Sequence, residues 1–490
     1  TDNGVATITV TLVNHGFSAS DAFVVSNANA VGGIVSSNIN GSRTVVEVID
    51  DNTFTFNAAA NANDSSVGGG TPFLETHAVA TNWSEQSYSA LRGFPGAVTF
   101  HQNRLWFGGT ISQPDGLWSS KSNQFFSFDT GDASDNDAID ITAVIGEVNT
   151  IRHLVSNRDL QCFTSTDEFI VPAFIEKPTT PTNATIKRQT AFGSAFVKPY
   201  VFDGATVYIQ SSGEIVREML FDDSQNAYTG QPISGLASHL IKTPTQATVL
   251  AGGIDRNESY YLSVDGDGSL SVFNSNRGEQ RYGWTQFTSQ GAFHSICTID
   301  TRVYTVMKFD KGDGTHKYIL CEFDSSFNTD MAKVYYGSAG VFDVSSDFSN
   351  GAVLDVISGS HYLGQFTVSG GNINVSAVDN SLTKAEIGYR FDVNLKTNPI
   401  DAVSALGPLT GEPRSLNKVI VDLNNTLSCS VNSTNLIIRQ VTDDLSQDRT
   451  PVSGKREFRL LGYSKDPQVS ISQSAPLSLQ VNSIIAEVTF

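Results

Sequence analysis

Two short acidic turns are the first places to look for chemistry. Asp265-Gly266-Asp267-Gly268 and Asp310-Lys311-Gly312-Asp313-Gly314 set carboxylates on a backbone that bends easily, as a calcium loop does. A loop of the EF-hand kind also needs oxygen ligands at alternate positions and a Glu at the twelfth. Counted from Asp265 the twelfth residue is Asn276, and from Asp310 it is Cys321, so both fail. Each turn separates two apolar runs, where Asp-Gly is ordinary hairpin chemistry, and two hairpins are expected. The histidines (15, 77, 101, 153, 239, 294, 316 and 361) are scattered, and none has a second His at ligand spacing. Cys162, Cys297, Cys321 and Cys429 form no C-x-x-C pair, which argues against a zinc ribbon or redox motif. All four lie in apolar or strand-like stretches and are expected to be buried free thiols. That expectation fits a cytoplasmic origin.

Other catalytic signatures are missing. There is no H-E-x-x-H, no phosphate-binding Walker loop, no G-x-S-x-G elbow and no dinucleotide-binding glycine pattern. The stretch Ser112-Gln113-Pro114-Asp115-Gly116-Leu117-Trp118 comes nearest to the S-x-D-x-G-x-x-W box of sialidases, but its spacing is wrong. Glycoside hydrolysis would also need two carboxylates at a defined separation, which the sequence does not place. The expectation is therefore no catalytic, cofactor-binding or metal-binding residue, no cofactor, and no enzyme activity. Arg92 and Arg104 each offer a planar fork of donors. In acidic surroundings a clamp on backbone carbonyls is the leading reading for them, and a DNA contact the lesser one.

The elements around these residues read as strands. Residues 5–12 (VATITVTL) alternate, with Ala6, Ile8, Val10 and Leu12 on one face, which is a half-buried strand. Further strands are expected at Phe23–Val25, at 44–49 (TVVEVI) and at Phe54–Phe56, with a hairpin turn at Asn40-Gly41. This makes a small barrel or sandwich, followed by a polar, Gly-rich loop or linker at 57–70. From about 92 to 345, short apolar runs recur between Gly, Asp, Asn and Ser turns, as antiparallel sheet requires. Units of four strands at a spacing of about 45 residues suggest propeller blades, with a plain array of sandwiches as the competing arrangement. Trp106, Trp118, Phe125, Phe126, Phe128 and Trp284 are expected to fill the cores between blades, each burying about 150–250 Å². Residues 346–490 also read as strands, with a loop at 440–455. No stretch holds helical periodicity beyond two turns.

Composition agrees. Charged residues make up 17% of the 490, while Gly (41) and Phe (30) are plentiful. The expected fold is all-β and multi-domain: a small β-barrel module at 1–75, a β-propeller-like domain at 76–345, and a C-terminal β-rich domain at 346–490. No apolar run reaches the ~18 residues of a membrane-spanning helix, and there is no signal peptide. The net charge is −19, and segment 1–90 carries one basic residue, Arg43, against eight acidic ones. Such a chain lacks the basic face that grips nucleic acid. Solubility is the first reading of this charge, and a wall that DNA slides past without sticking is the second.

At residues 83–128 the pattern becomes specific. Trp83-Ser-Glu, Arg92-Gly93-Phe94-Pro95, the run from Phe100 to Thr110 (FHQNRLWFGGT), Leu117-Trp118-Ser119-Ser120-Lys121-Ser122 and Phe125-Phe126-Ser127-Phe128 resemble tail nozzle proteins of short-tailed bacteriophages, also called tail tubular protein B or tail stabilisation proteins. Stretches 160–171, 206–221, 270–284, 318–324 and 461–490 agree, so the resemblance covers most of 80–490. Residues 13–56 resemble a small β-barrel module named after ubiquitin-activating enzymes, which implies no ubiquitin chemistry here. The resemblance implies six copies in a ring below the head-to-tail adaptor. The ring continues the channel for double-stranded DNA without sequence-specific binding, and a propeller-like domain on its outside carries fibres, spikes or a plug. It also implies a virion location in the phage tail, assembly in the host cytoplasm, and further β-structure before Thr1, so that the chain is expected to be truncated there. Two rival functions stay open. One is a carbohydrate-binding adhesin using Trp83 and Trp284 as platforms, and the other is a propeller-type polysaccharide hydrolase.

Overall fold

The computed structural model describes residues 1–75, 88–143, 149–173, 178–252, 258–310, 315–400, 403–404, 407–408, 411–439, 448–473 and 475–489. The fold is all-β. Among the described residues the helical elements are one four-residue turn, Ser36–Ile39, and two 3-10 turns, Ser238–Leu240 and Arg277–Glu279. Residues 1–87 and 88–490 form separate compact units.

In the first unit β1 (Thr7–Thr11), β2 (Ala22–Ser26), β3 (Gly41–Asp50), β4 (Thr53–Asn57) and β5 (Phe73–Glu75) form one antiparallel sheet in the order β1-β4-β3-β2-β5. The alternation read in residues 5–12 aims Ile8 into a core with Phe23, Val25, Ile34, Val45, Phe54 and Phe56. Phe23 meets Phe54 and Phe56 edge-on, each at 5.5 Å. Two sequence expectations change here. Asn40-Gly41 is not a two-residue hairpin turn: Asn40 is extended, and only Gly41 has a positive φ, of 101°. The Asn40 amide instead bridges the N–H and carbonyl of Ala28 at 2.8 and 3.1 Å, tying down the long β2–β3 connection. The small, polar stretch after β4 is not a free linker either. Ala58 and Ala62 are in the core, and Gly4 N–H donates to the Ala62 carbonyl at 2.8 Å.

The second unit opens with five sheets whose strands pair in chain order, all antiparallel. Sheet I holds Ala97–His101, Arg104–Gly108, Gly116–Ser119 and Ile139–Thr142. Sheet II holds Ile151–Ser156, Leu160–Thr164, Glu168–Val171 and Lys187–Thr190. Sheet III holds Tyr200–Phe202, Ala205–Ile209, Val216–Asp222 and Ala227–Pro232. Sheet IV holds Gln246–Leu250, Ser259–Val264, Leu270–Asn276 and Arg281–Phe287. Sheet V holds three strands, Ala292–Ile299, Arg302–Asp310 and His316–Glu322. The first strands begin at 97, 151, 200, 246 and 292, close to the spacing that the sequence suggests. Each sheet buries a face on the next. Trp106, Leu117 and Ile139 of sheet I pack on Ile151, Leu160 and Phe169 of sheet II. Phe163 and Ile170 meet Tyr208 and Met219, and Val207 and Val216 meet Tyr261 and Phe273. Leu262 and Val272 meet Phe293, Ile296 and Met307.

The C-terminal stretch carries a sheet of Asp330–Tyr336, Lys384–Tyr389, Val353–Ser358 and His361–Thr367, then two sheets built around Ser470–Ser472 and the thirteen-residue strand Arg414–Thr426. A short internal repeat lies here. Ser338-x-Gly340-x-Phe342-Asp343-Val344-Ser345 and Ser369-x-Gly371-x-Ile373-Asn374-Val375-Ser376 adopt the same turn-and-strand form. Asp343 and Asn374 each accept from the N–H two residues on at 3.0 Å, and the two copies pair antiparallel with Phe342 opposite Ile373.

Phe54→Ala should destabilise the first unit by about 3–5 kcal/mol, because it empties the place where Phe17, Phe23 and His15 meet. In denaturant unfolding of the whole chain, the transition of residues 1–87 is expected to move while that of 88–490 stays in place.

Candidate functional site

Sheet I has two faces with different fates. Pairing sets Phe100 opposite Leu105, Val98 opposite Phe107, and Phe107 opposite Trp118. The alternate positions Ala97, Trp106, Leu117 and Ile139 turn inward onto sheet II. Trp106 is fully buried, and its indole N–H donates to the His101 carbonyl at 3.2 Å. The outer face has no sheet on it among the described residues. Tyr88 crosses Phe107 at 5.8 Å and Trp118 at 5.4 Å, Phe128 stacks on Phe107, and Phe125 crosses Phe100 at 5.1 Å. Beyond this partial cover Phe94, Val98, Phe100 and Ile111 stay exposed, and Phe126 is 98% exposed.

The aromatic expectation therefore divides. Trp106 fills the core between sheets I and II, Trp118 is buried instead on the outer face beneath Tyr88, and Trp284 is half-buried against Phe273 at 4.9 Å with its N–H on the Ile233 carbonyl at 2.9 Å. Phe125 and Phe126 are at the surface, because the segment between Ser120 and Asp137 loops outward rather than crossing the core. That loop is held by Arg104. Its guanidinium is buried and donates to the carbonyls of Ser120 (2.9 Å), Asp137 (2.5 Å) and Asp135 (2.6 Å). Burial lowers its pKa, and the Asp137 charge offsets part of that. The clamp expected for Arg104 is present. Arg92 lies in a turn, where its backbone N–H donates to the Ser89 hydroxyl oxygen at 3.0 Å.

Over residues 96–352, just over half of the chain, the sequence matches the family described as bacteriophage nozzle protein. The chain belongs to that family. The matched span contains all five sheets and the Arg104 clamp. No curated protein matches. Among solved structures, the phage phi92 endosialidase is 15% identical, with 83% of this chain covering 59% of that one at a TM-score of 0.20. The nozzle chain thus spans about six-tenths of that protein's length. A protein from Lactobacillus plantarum is 10% identical, over 62% of this chain and 96% of that one, at a TM-score of 0.23. An auxiliary nutrient binding protein from Bacteroides thetaiotaomicron is 10% identical, over 59% and 84%, at 0.20.

Several buried or half-buried polar groups among the described residues join one sheet to the next. Arg152 of sheet II donates to the Ser194 carbonyl at 2.5 Å, and His153 Nε2 lies 3.1 Å from the Ala195 carbonyl, on the segment that leads into sheet III. Burial lowers the pKa of His153 and of His101, whose Nδ1 meets the Ser156 hydroxyl at 2.9 Å. Buried Asp159 accepts from the Tyr228 hydroxyl at 2.8 Å and the Ala173 N–H at 2.7 Å. Arg277 of sheet IV reaches back to Glu218 (2.5 Å) and the Asp203 carbonyl (2.6 Å) of sheet III. Arg414, fully buried in the C-terminal stretch, holds the carbonyls of Ile400 (2.6 Å) and Lys465 (2.7 Å). Nothing in the sequence around Arg414 marks this clamp; only its place at the head of a long apolar strand hints at it.

The acidic turns resolve as the hairpin reading has it for Asp265–Gly268. The Gly268 N–H donates to the Asp265 carbonyl at 2.9 Å between two paired strands. Lys242 Nζ sits 2.7 Å from Asp267. Burial alone would raise the pKa of Asp267, but Lys242 and Ser269 hold it down to about 2. Residues 311–314 of the second turn lie outside the described residues, although Asp310 pairs with His316 across it. Trp83 and His77 also lie outside. Among the described residues no three His, Cys, Asp or Glu side chains are grouped to hold a metal, and no helix is long and apolar enough to cross a membrane. All four cysteines are free. Cys162 and Cys429 are buried, with burial pushing their thiols up to about 12 and about 11. Cys297 is exposed and Cys321 half-buried, contrary to expectation: Cys297 lies on the open face of sheet V, and Cys321 packs on the covered face but on the edge strand.

Two substitutions test this account. Arg104→Met should cost about 3 kcal/mol, since it leaves buried carbonyls without donors. Hydrogen exchange should rise across 120–138 more than elsewhere. Glu168 is fully buried, accepting from the Thr190 hydroxyl and the Phe192 N–H, and burial raises its pKa above the ordinary 4.5. The unfolded chain then loses this proton first, so ionisation favours unfolding. The stability of Glu168→Gln relative to the native chain should therefore rise as pH climbs from about 4.5 and level off above the folded value. Denaturation midpoints from about pH 4 to about pH 8 measure it.

Proposed function

We propose that this chain is a passive structural subunit of a phage tail nozzle. In this reading six copies form a ring below the head-to-tail adaptor and continue the DNA channel. Sheets I–V make a propeller-like body on which fibres, spikes or a plug sit. The first unit is an inserted barrel module, and the chain catalyses no reaction. The match to the nozzle family across the five sheets carries this reading.

Three physical features support it. Buried Arg104 and Arg414 spend described donors on backbone carbonyls and half-buried Arg277 on Glu218, which stiffens the sheets and withholds those groups from phosphates. The first unit exposes Asp2, Asp21, Glu47, Asp50, Asp51, Asp64 and Glu75, while Arg43 is occupied by the carbonyls of Asn38, Ile39 and Asn40. Such a surface repels a duplex rather than holding it. The uncovered aromatic face of sheet I is the kind of surface that subunit contacts bury, where aromatic anchors carry much of the binding. A ring needs heterologous contacts, one patch meeting a different patch on the neighbour.

Electron microscopy of the purified tail is the direct test. The expected image is a sixfold tube containing this chain, with Phe100→Ser/Phe126→Ser subunits folding normally but failing to enter it. A position away from the tube, or turnover of a polysaccharide by the purified chain, overturns the reading.

A further inference from the structure

Sheets I–IV each have four strands, and sheet V has three. Sheets IV and V approach through their opening strands, and within each sheet the later strands follow in chain order. What sheet V lacks is the outermost position, beside His316–Glu322. Among the described residues no strand pairs with that edge.

The backbone phase of the edge can be read. Phe323 N–H donates to the Val303 carbonyl at 3.0 Å, and the register continues as Cys321 opposite Thr305, Ile319 opposite Met307 and Lys317 opposite Phe309. Hydrogen-bonded pairs recur every second residue in an antiparallel ladder. So Lys317, Ile319, Cys321 and Phe323 spend their backbone groups inward, and His316, Tyr318, Leu320 and Glu322 turn theirs to the open side. The same four are exposed, Tyr318 at 52% and Leu320 at 72%. A seven-residue edge without proline, apolar from Tyr318 to Cys321, is a template for another strand.

We propose that this edge is covered by the same strand of a second copy, running antiparallel about a two-fold axis at Ile319. The strand is self-complementary in that register. Tyr318 faces Leu320 of the second copy and His316 faces Glu322, each twice, so aromatic meets aliphatic and base meets acid. Of the two-fold registers that join outward-turned residues, the one centred on Ile319 uses all four. Centring on Tyr318 strands Glu322, and centring on Leu320 strands His316. A two-fold contact does not join neighbours within one cyclic ring. The pairing is therefore separate from the ring reading and belongs to chains outside a ring or to two rings meeting.

The test uses the full chain with Cys297 and Cys321 changed to Ser. Ile319→Cys in that background should form a disulfide-linked pair under mild oxidation, because a non-hydrogen-bonded pair sets Cα atoms about 4.5 Å apart, within disulfide reach. Leu320→Cys, two residues out of register with itself, should link poorly. With native cysteines, Glu322→Lys should weaken two-copy association in sedimentation about tenfold, and His316→Glu/Glu322→Lys should restore it. Circular dichroism checks that each variant is folded. Linkage at 320 as efficient as at 319, a chain that stays single with Ile319→Cys unlinked, or a double swap that fails to restore association overturns the proposal.

Discussion

A β-sheet with one apolar face is unstable until something covers it, and in residues 97–323 each sheet is covered by the next. Trp106 shows the scale. Burying about 200 Å² of indole is worth about 5 kcal/mol as an upper estimate. That is comparable to the whole margin by which a domain is usually stable. Such gains depend on the neighbouring sheet being in place, so the series stands or falls together. Polar groups at the seams then fix the relative setting of the sheets. An isolated buried charge costs several kcal/mol, and Arg104, Arg277 and Arg414 avoid that cost by filling their donors with carbonyls and carboxylates.

The same constraint accounts for the buried carboxylates. Asp159, Glu168, Glu218 and Asp265 are buried carboxylates, which in another setting would suggest acid–base work. Here each accepts hydrogen bonds from groups that hold a turn or a neighbouring strand. Raised pKa values at Glu168 and Asp265 follow first from burial.

Much of this was legible in the sequence, for reasons that can be named. Alternation in residues 5–12, the Asp265–Gly268 hairpin and the four-strand units are local signals, with period two and turn chemistry within a few residues. The Arg104 clamp was legible because a planar fork of donors in acidic surroundings is drawn to backbone carbonyls rather than to phosphate. The failures share a cause too. Asn40-Gly41 carries the right turn residues, but Asn40 is drawn to Ala28, twelve residues away in the chain. Phe125 and Phe126 are as hydrophobic as Trp106, and only the outward path of the 120–138 loop exposes them. Cys297 reads like Cys162; it differs in lying on a sheet with one open side. The repeat at Ser338 and Ser369 was present in the sequence, but eight positions with four identities are visible only once the two turns are seen to pair.

A series of sheets that bury faces on one another has two ends, and the ends obey different rules from the middle. At the start, sheet I shows an aromatic outer face partly roofed by Tyr88, Phe125 and Phe128. At the far end, sheet V shows a half-used strand whose backbone groups alternate between taken and open. A face offers area and favours contacts built from side chains, with loose demands on register. An edge offers hydrogen bonds and demands register to within one residue, since a slip of one turns every side chain to the wrong side. A structural subunit with both kinds of end can make two contacts that do not compete, one set by shape and one by strand phase. That division follows from the covering rule alone, and it keeps the proposed ring contact and the proposed strand pairing apart without appeal to any further residue.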